Sequence, residues 1–154
     1  MRIKALTLYE PWASLVAHGH KVHETRTWYP AVPRGTLFAI HAGKQTDLVV
    51  WSNLCDRWPH TLAAVLLRPG HILAIVRYQG AYPANLADES RRLTDPMLVE
   101  LNRAAGDFSR GRHAWELEVV HRLDPPVAAQ GHPGIWWWEL PDELASIIPT
   151  KVDA

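Results

Sequence analysis

The chain has a single cysteine, Cys55, in 154 residues, which excludes an intrachain disulfide and fits a reducing compartment. It also lacks charge of one sign: 16 Lys+Arg stand against 16 Asp+Glu, and the pI is ≈ 7.1. That balance excludes a protein that coats duplex nucleic acid through bulk electrostatics, so any nucleic-acid contact has to be local. No apolar run approaches the ~18 residues of a membrane span. The opening Met1-Arg2-Ile3-Lys4 leads into a strand pattern rather than the apolar core of a secretory signal. The expected setting is the cytoplasm, without membrane association. Also missing are a glycine-rich phosphate loop, a Walker lysine and a nucleophile elbow, and no cofactor is expected. Internal repeats, linkers and low-complexity runs are absent as well, so residues 1–154 read as one domain of ordinary size.

What is present is a chain of short strands alternating with short helices. Ala5 to Tyr9 reads as a strand. Pro11 then opens a helix carrying Trp12, Leu15 and Val16 at helical spacing, with Gly19 just past its end. Tyr29 to Gly35 is a loop, and Thr36 to His41 is a strand apolar on both faces, closed by a His41-Ala42-Gly43-Lys44 turn suited to a phosphate. A helical stripe of Leu48, Trp51, Leu54, Cys55 and Trp58 ends at Pro59, and a second helix is expected from Thr61 to Arg68. In that stripe Cys55 is a packed thiol. A strand from His71 to Tyr78, a surface excursion from Ala81 to Asp95 and a helix from Asp95-Pro96 to Ala105 follow. The basic turn Arg110-Gly111-Arg112-His113 feeds a strand from Ala114 to Leu123 that Asp124-Pro125-Pro126 ends. In the strand Ile135 to Leu140 the run Trp136-Trp137-Trp138 must alternate between faces, so one indole cannot share the core with the others. A short helix from Pro141 to Ile148 closes the chain.

Charge is concentrated in one place, Lys21-Val22-His23-Glu24-Thr25-Arg26. On a strand, Glu24 and Arg26 share a face and Thr25 takes the other. Lys21, at the strand entrance, is expected to be exposed and to reach back across the Glu24 face. His18-Gly19-His20-x-x-His23 looks like a metal cluster, but its members fall on a helix end, a turn and a strand, without the fixed face that paired ligands need. No metal is expected.

Leu6-Thr7-Leu8-Tyr9-Glu10-Pro11-Trp12 followed by Gly19-x-Lys21-x-x-Glu24-Thr25-Arg26 closely resembles the opening of the ASCH domain family, a branch of the PUA-like superfamily. The G-x-K-x-x-E-x-R core is that family's signature. Gly35 to Ala42, Trp115 to Pro126 and Gly131-x-x-Gly134-Ile135-Trp136 match in family order. Together with the element pattern, the resemblance implies an α+β fold, a PUA-like small mixed β-barrel with peripheral helices. It also implies a cleft lined by Lys21, Glu24 and Arg26.

Such a cleft suits RNA or a modified nucleoside: Lys and Arg donate to phosphate or a base carbonyl, Glu24 accepts from a base amino group or ribose hydroxyl, and a tryptophan supplies a stacking face. The candidate ligand-binding residues are Trp12, Lys21, Glu24, Arg26, His41, Lys44 and Arg77. Lys21 and Glu24 are the catalytic candidates if the protein is an enzyme. Members resembling acetylcytidine amidohydrolases pair a base lysine with a threonine nucleophile three residues on and a downstream glutamate. Here Lys21 is kept, but Glu24 stands at the threonine position and Arg77 at the glutamate position. Other members resemble metal-independent single-strand ribonucleases, for which Lys21, His41, Lys44 and Arg26 supply possible acid, base and cationic groups. A binding module is the leading reading and a hydrolase the alternative; the residues set no oligomeric state.

Overall fold

Leu6 and Leu8 pack on one side of the first strand while Ile3 and Ala5 pack on the other, because both faces of its sheet are covered. The computed structural model describes residues 1–87 and 93–148. The strands are β1 (Arg2–Glu10), β2 (His23–Arg26), β3 (Leu37–Thr46), β4 (His71–Pro83), β5 (His113–Ala128) and β6 (Ile135–Glu139). They form one six-stranded mixed sheet in the order β2-β5-β4-β3-β1-β6. β1 and β3 are parallel, and the other neighbours are antiparallel. One face buries Leu6, Phe38, Ile40, Trp115 and Leu117 with Val16 of α1 (Trp12–Ala17). The other buries Ala39, Ile72 and Ile75 with Trp136 and Trp138, flanked by α5 (Asp142–Ala145). A third core gathers α2 (Leu48–Arg57), α3 (Pro59–Leu62) and α4 (Pro96–Ala104) around Leu15, through Leu54, Leu62 and Leu101. No helix among the described residues is long and apolar enough to cross a membrane.

The α+β class holds, but the barrel does not: the sheet is open. Among the described residues β2, only four residues long, pairs with β5 alone, and β6 pairs with β1 alone. The two edges of the sheet are therefore β2 and β6, and from β2 the Arg26 side chain reaches β1, its Nη2 donating to the Thr7 carbonyl at 3.1 Å.

Several boundaries also move. β1 begins earlier because Arg2 to Leu6 pair with β6. β3 runs through the expected His41 to Lys44 turn, since Thr46 is still paired opposite Glu10 across an irregularity. β5 continues past Pro125 and Pro126 to Ala128, where Ile72 and His71 of β4 provide partners beyond a register shift. The expected helix from Thr61 to Arg68 shrinks to α3 because the Arg68 N–H donates to Glu10 Oε2 (2.9 Å) instead of to a helical carbonyl. Within the 81–95 excursion, Ala81 to Pro83 extend β4, Ala84 and Ala87 are buried against Ala114, and residues 88–92 lie outside the described residues. The tryptophans alternate: Trp136 and Trp138 are buried, while Trp137 is exposed with Lys4 Nζ 4.3 Å from its ring centroid.

Glu10 ties these pieces together. Its fully buried carboxylate accepts from Ser14 N (2.7 Å), Ser14 Oγ (2.5 Å) and Arg68 N. Glu10→Ala strands these buried donors and is expected to cost about 2–4 kcal/mol, lowering the melting temperature by roughly 5–15 °C. Thermal denaturation followed by circular dichroism checks this; an unchanged melting temperature would show that the network is dispensable.

Candidate functional site

The charged segment is held in place from two directions. On one side β2 pairs with β5, Glu24 opposite Trp115 and Arg26 opposite His113. On the other, Asn102 of α4 accepts from the backbone N–H groups of Val22 (2.9 Å) and His23 (3.3 Å) with Oδ1, and its Nδ2 donates to His23 Nδ1 (3.1 Å). Because Nδ1 accepts, the proton of neutral His23 sits on Nε2, which donates to the Tyr82 hydroxyl at 2.7 Å. His23 is therefore fully engaged in the frame, while His18 and His20 stack on each other at 6.1 Å.

Lys21 is buried, with 2% of its surface exposed, which corrects the expectation of a solvated lysine. Its Nζ has no hydrogen-bond partner among the described residues and lies 5.6 Å from the Phe108 ring centroid. Burial lowers its pKa from 10.5 to about 8; Glu24 pulls it back up and Arg112 pushes it further down. The turn after α4 closes over it: a Cβ on Gly106 would stand 2.9 Å from Nζ and 2.6 Å from Phe108 Cε2. Glycine is the residue that permits this approach.

Glu24 and Arg26 do share a face, with Arg26 Nε donating to Glu24 Oε1 at 3.1 Å, and both are mostly shielded from solvent. Thr25 alternates with them and is buried; its carbonyl accepts from Arg112 Nη2 at 2.7 Å. The Trp12 Nε1–H donates to the Ala105 carbonyl at 2.7 Å, which fixes the ring at the end of α4.

Two adjoining cavities lie here. An inner chamber of about 330 Å³ is lined by Trp12, Lys21, Glu24, Thr25, Gly106 and Arg112. It shares Trp12, Glu24, Thr25 and Arg112 with an outer cleft of about 830 Å³ between β1 and β2. Tyr9, Arg26, His41 and Lys44 line the outer cleft, together with the loop from Gln130 to Gly134. A separate cavity of about 250 Å³ sits behind α1, where Arg122 and His18 are hydrogen-bonded to each other at 3.0 Å.

The expected residues thus divide. Trp12, Lys21, Glu24 and Arg26 come together, and Lys44 joins them from the outer rim. His41 lines the cleft but is 2% exposed, and both ring nitrogens are engaged, Nε2 with the Ala129 carbonyl (2.8 Å) and Nδ1 with Thr7 Oγ1 (3.2 Å); burial lowers its pKa. Arg77 stands on β4 opposite Glu118 and lines neither cavity. Sequence reasoning missed three contributors. Arg112 was visible as part of a basic turn, but only the β2–β5 pairing aims it. Tyr9 stands at the strand end, 55% exposed in the outer cleft. Asn102 belongs to a helix distant in sequence.

A sequence model of the ASCH domain matches residues 6–127. The chain belongs to the ASCH domain family. No curated protein sequence matches it. Among solved structures it is similar to ASCH from Zymomonas mobilis, at 14% identity and a TM-score of 0.52, with 95% of each chain covered. A tyrosine-to-phenylalanine variant of that protein gives 14% identity and a TM-score of 0.52, with 95% of this chain and 98% of the other covered. At that identity the likeness establishes a shared fold. An ASCH domain is in general associated with RNA binding.

The buried lysine makes a measurable demand on stability. Between pH 8 and 10.5 the unfolded chain keeps the Lys21 proton that the folded chain has lost, so the native protein gains stability as pH rises through that window, by ~3 kcal/mol in all. Lys21→Met removes the buried charge and should be more stable than the native chain at pH 7.5. Its advantage should shrink towards pH 10.5. Urea unfolding at the two ends of the window checks this, and a constant difference would show that Lys21 titrates as an exposed lysine does.

Proposed function

We propose that this ASCH domain binds single-stranded RNA, or a modified nucleoside within it, in the cleft between β1 and β2, with one base entering the inner chamber. The observation that carries this reading is the Lys21 ammonium, enclosed without a hydrogen-bond partner among the described residues beside Glu24 and Arg112. A buried unpaired cation opposes folding, and a ligand bearing hydrogen-bond acceptors compensates it. Trp12 and the exposed Tyr9 offer ring faces on which bases stack, worth ~1–3 kcal/mol each in single-strand binders. Arg26, Lys44 and Arg112 stand where phosphates would pass. This is a local cationic set in a chain of formal net charge +0, which fits a short single strand better than a duplex. The single thiol of Cys55 fits a cytoplasmic setting.

Fluorescence anisotropy with labelled single-stranded RNA tests the reading. The native chain should bind, and Lys21→Met should bind at least about tenfold more weakly while remaining folded, since one charge-assisted hydrogen bond of ~1.5–3 kcal/mol is lost. With three cations at the cleft, log K should fall with log salt at a slope of about −2. A slope steeper than about −4 would require a basic track elsewhere on the surface. Full binding by Lys21→Met would remove the inner chamber from the interface.

One observation favours a second reading, a metal-independent hydrolase: with a pKa of about 8, Lys21 is in part a neutral amine near physiological pH and so is suited to act as a base. Against it, Glu24 occupies the place of the amidohydrolase threonine, and Arg77 lies outside both cavities. Incubation in EDTA with single-stranded RNA and with acetylated cytidine separates the two readings. Intact substrates are expected, and new products would establish the hydrolase.

A further inference from the structure

Two kinds of hydrogen-bonding residue line the inner chamber. Lys21 Nζ and Arg112 Nε are buried donors, and neither has a hydrogen-bond partner among the described residues; Arg112 Nε is 3.5 Å from Asp107 Oδ2, an ion-pair contact. Glu24 offers only acceptors. Its Oε1 is occupied by Arg26 Nε, which leaves Oε2 for an incoming donor. Trp12 has its N–H committed to Ala105 and contributes ring surface, and Val50 and Ala104 add apolar wall. The chamber therefore suits a flat heterocycle whose edge carries an acceptor for two donors next to a donor for a carboxylate.

The alternatives satisfy fewer of these groups. A phosphate would meet both cations but set its own charge against the Glu24 carboxylate. The amino group of cytosine or adenine would meet Glu24, but the ring nitrogen beside it has one lone pair and satisfies one of the two donors. A carbonyl oxygen has two acceptor sites. In uracil and guanine that oxygen adjoins a ring N–H.

We propose that the inner chamber selects the lactam edge of a base, O=C–N–H, and so reads uracil or guanine in preference to cytosine or adenine. The carbonyl oxygen accepts from Lys21 Nζ and Arg112 Nε, and the ring N–H donates to Glu24 Oε2. This inference rests on the RNA-binding reading above and goes further by naming the base chemistry that the site takes.

Five RNA hexamers test it, identical in sequence except for a central uridine, guanosine, cytidine, adenosine or N3-methyluridine, each titrated into the full chain with anisotropy readout. N3-methyluridine keeps the carbonyls of uridine and lacks the N–H. The uridine and guanosine hexamers should bind about tenfold or more tightly than the other three, because a mismatched edge leaves buried polar groups unpaired. Equal binding of all five would overturn base selection while leaving RNA binding intact. Preference for cytidine or adenosine would overturn the assignment of donors and acceptors, and N3-methyluridine binding as well as uridine would overturn the Glu24 contact. Failure of every hexamer to bind would remove the RNA-binding reading and this inference together.

Discussion

The enclosed ammonium of Lys21 is the constraint around which the site is arranged. Moving a lysine charge out of water costs several kcal/mol unless neighbours replace the solvent, and the surroundings here replace it in part: Glu24 supplies an opposite charge and Phe108 a ring, 5.6 Å away. The remainder is expressed as a lowered pKa. Gly106 has no side chain because Nζ and the Phe108 ring occupy the space that one would take. The chain accepts a stability cost at Lys21.

Holding that charge requires a rigid frame, and two parts of the chain, the end of α4 and the turn before β5, contribute to it. Asn102 clamps the backbone of Val22 and His23, the Ala105 carbonyl fixes Trp12, and Arg112 holds the Thr25 carbonyl. The open sheet is part of the same arrangement. The outer cleft lies between β2 and β1, and the Arg26 side chain crosses it to the Thr7 carbonyl. The helical core around Leu15 supports this frame from behind, since the same α4 that carries Asn102 buries Leu101 there.

Much of the fold was legible in the sequence because strand and helix periods, glycines and prolines act locally. Gly19 ends α1 at φ 75°, Asp95 caps α4 ahead of Pro96, and the three consecutive tryptophans alternate as the pleat demands. The boundaries that moved did so for long-range reasons: Pro125 and Pro126 stay within β5 because β4 pairs beyond them, and the expected helix after Thr61 stops early because Glu10 captures the Arg68 N–H.

By itself the sequence determined the family, the α+β class and the side-by-side placement of Glu24 and Arg26, since each depends on residue order and on spacing along a single strand. Tertiary structure alone decided that Lys21 is buried, that the sheet stays open, that Arg112 lines both cavities while Arg77 lines neither, and that Asn102 clamps the backbone beside them. Burial and convergence depend on which surfaces pack together. No local period records that α4, far along the chain, folds back over Lys21.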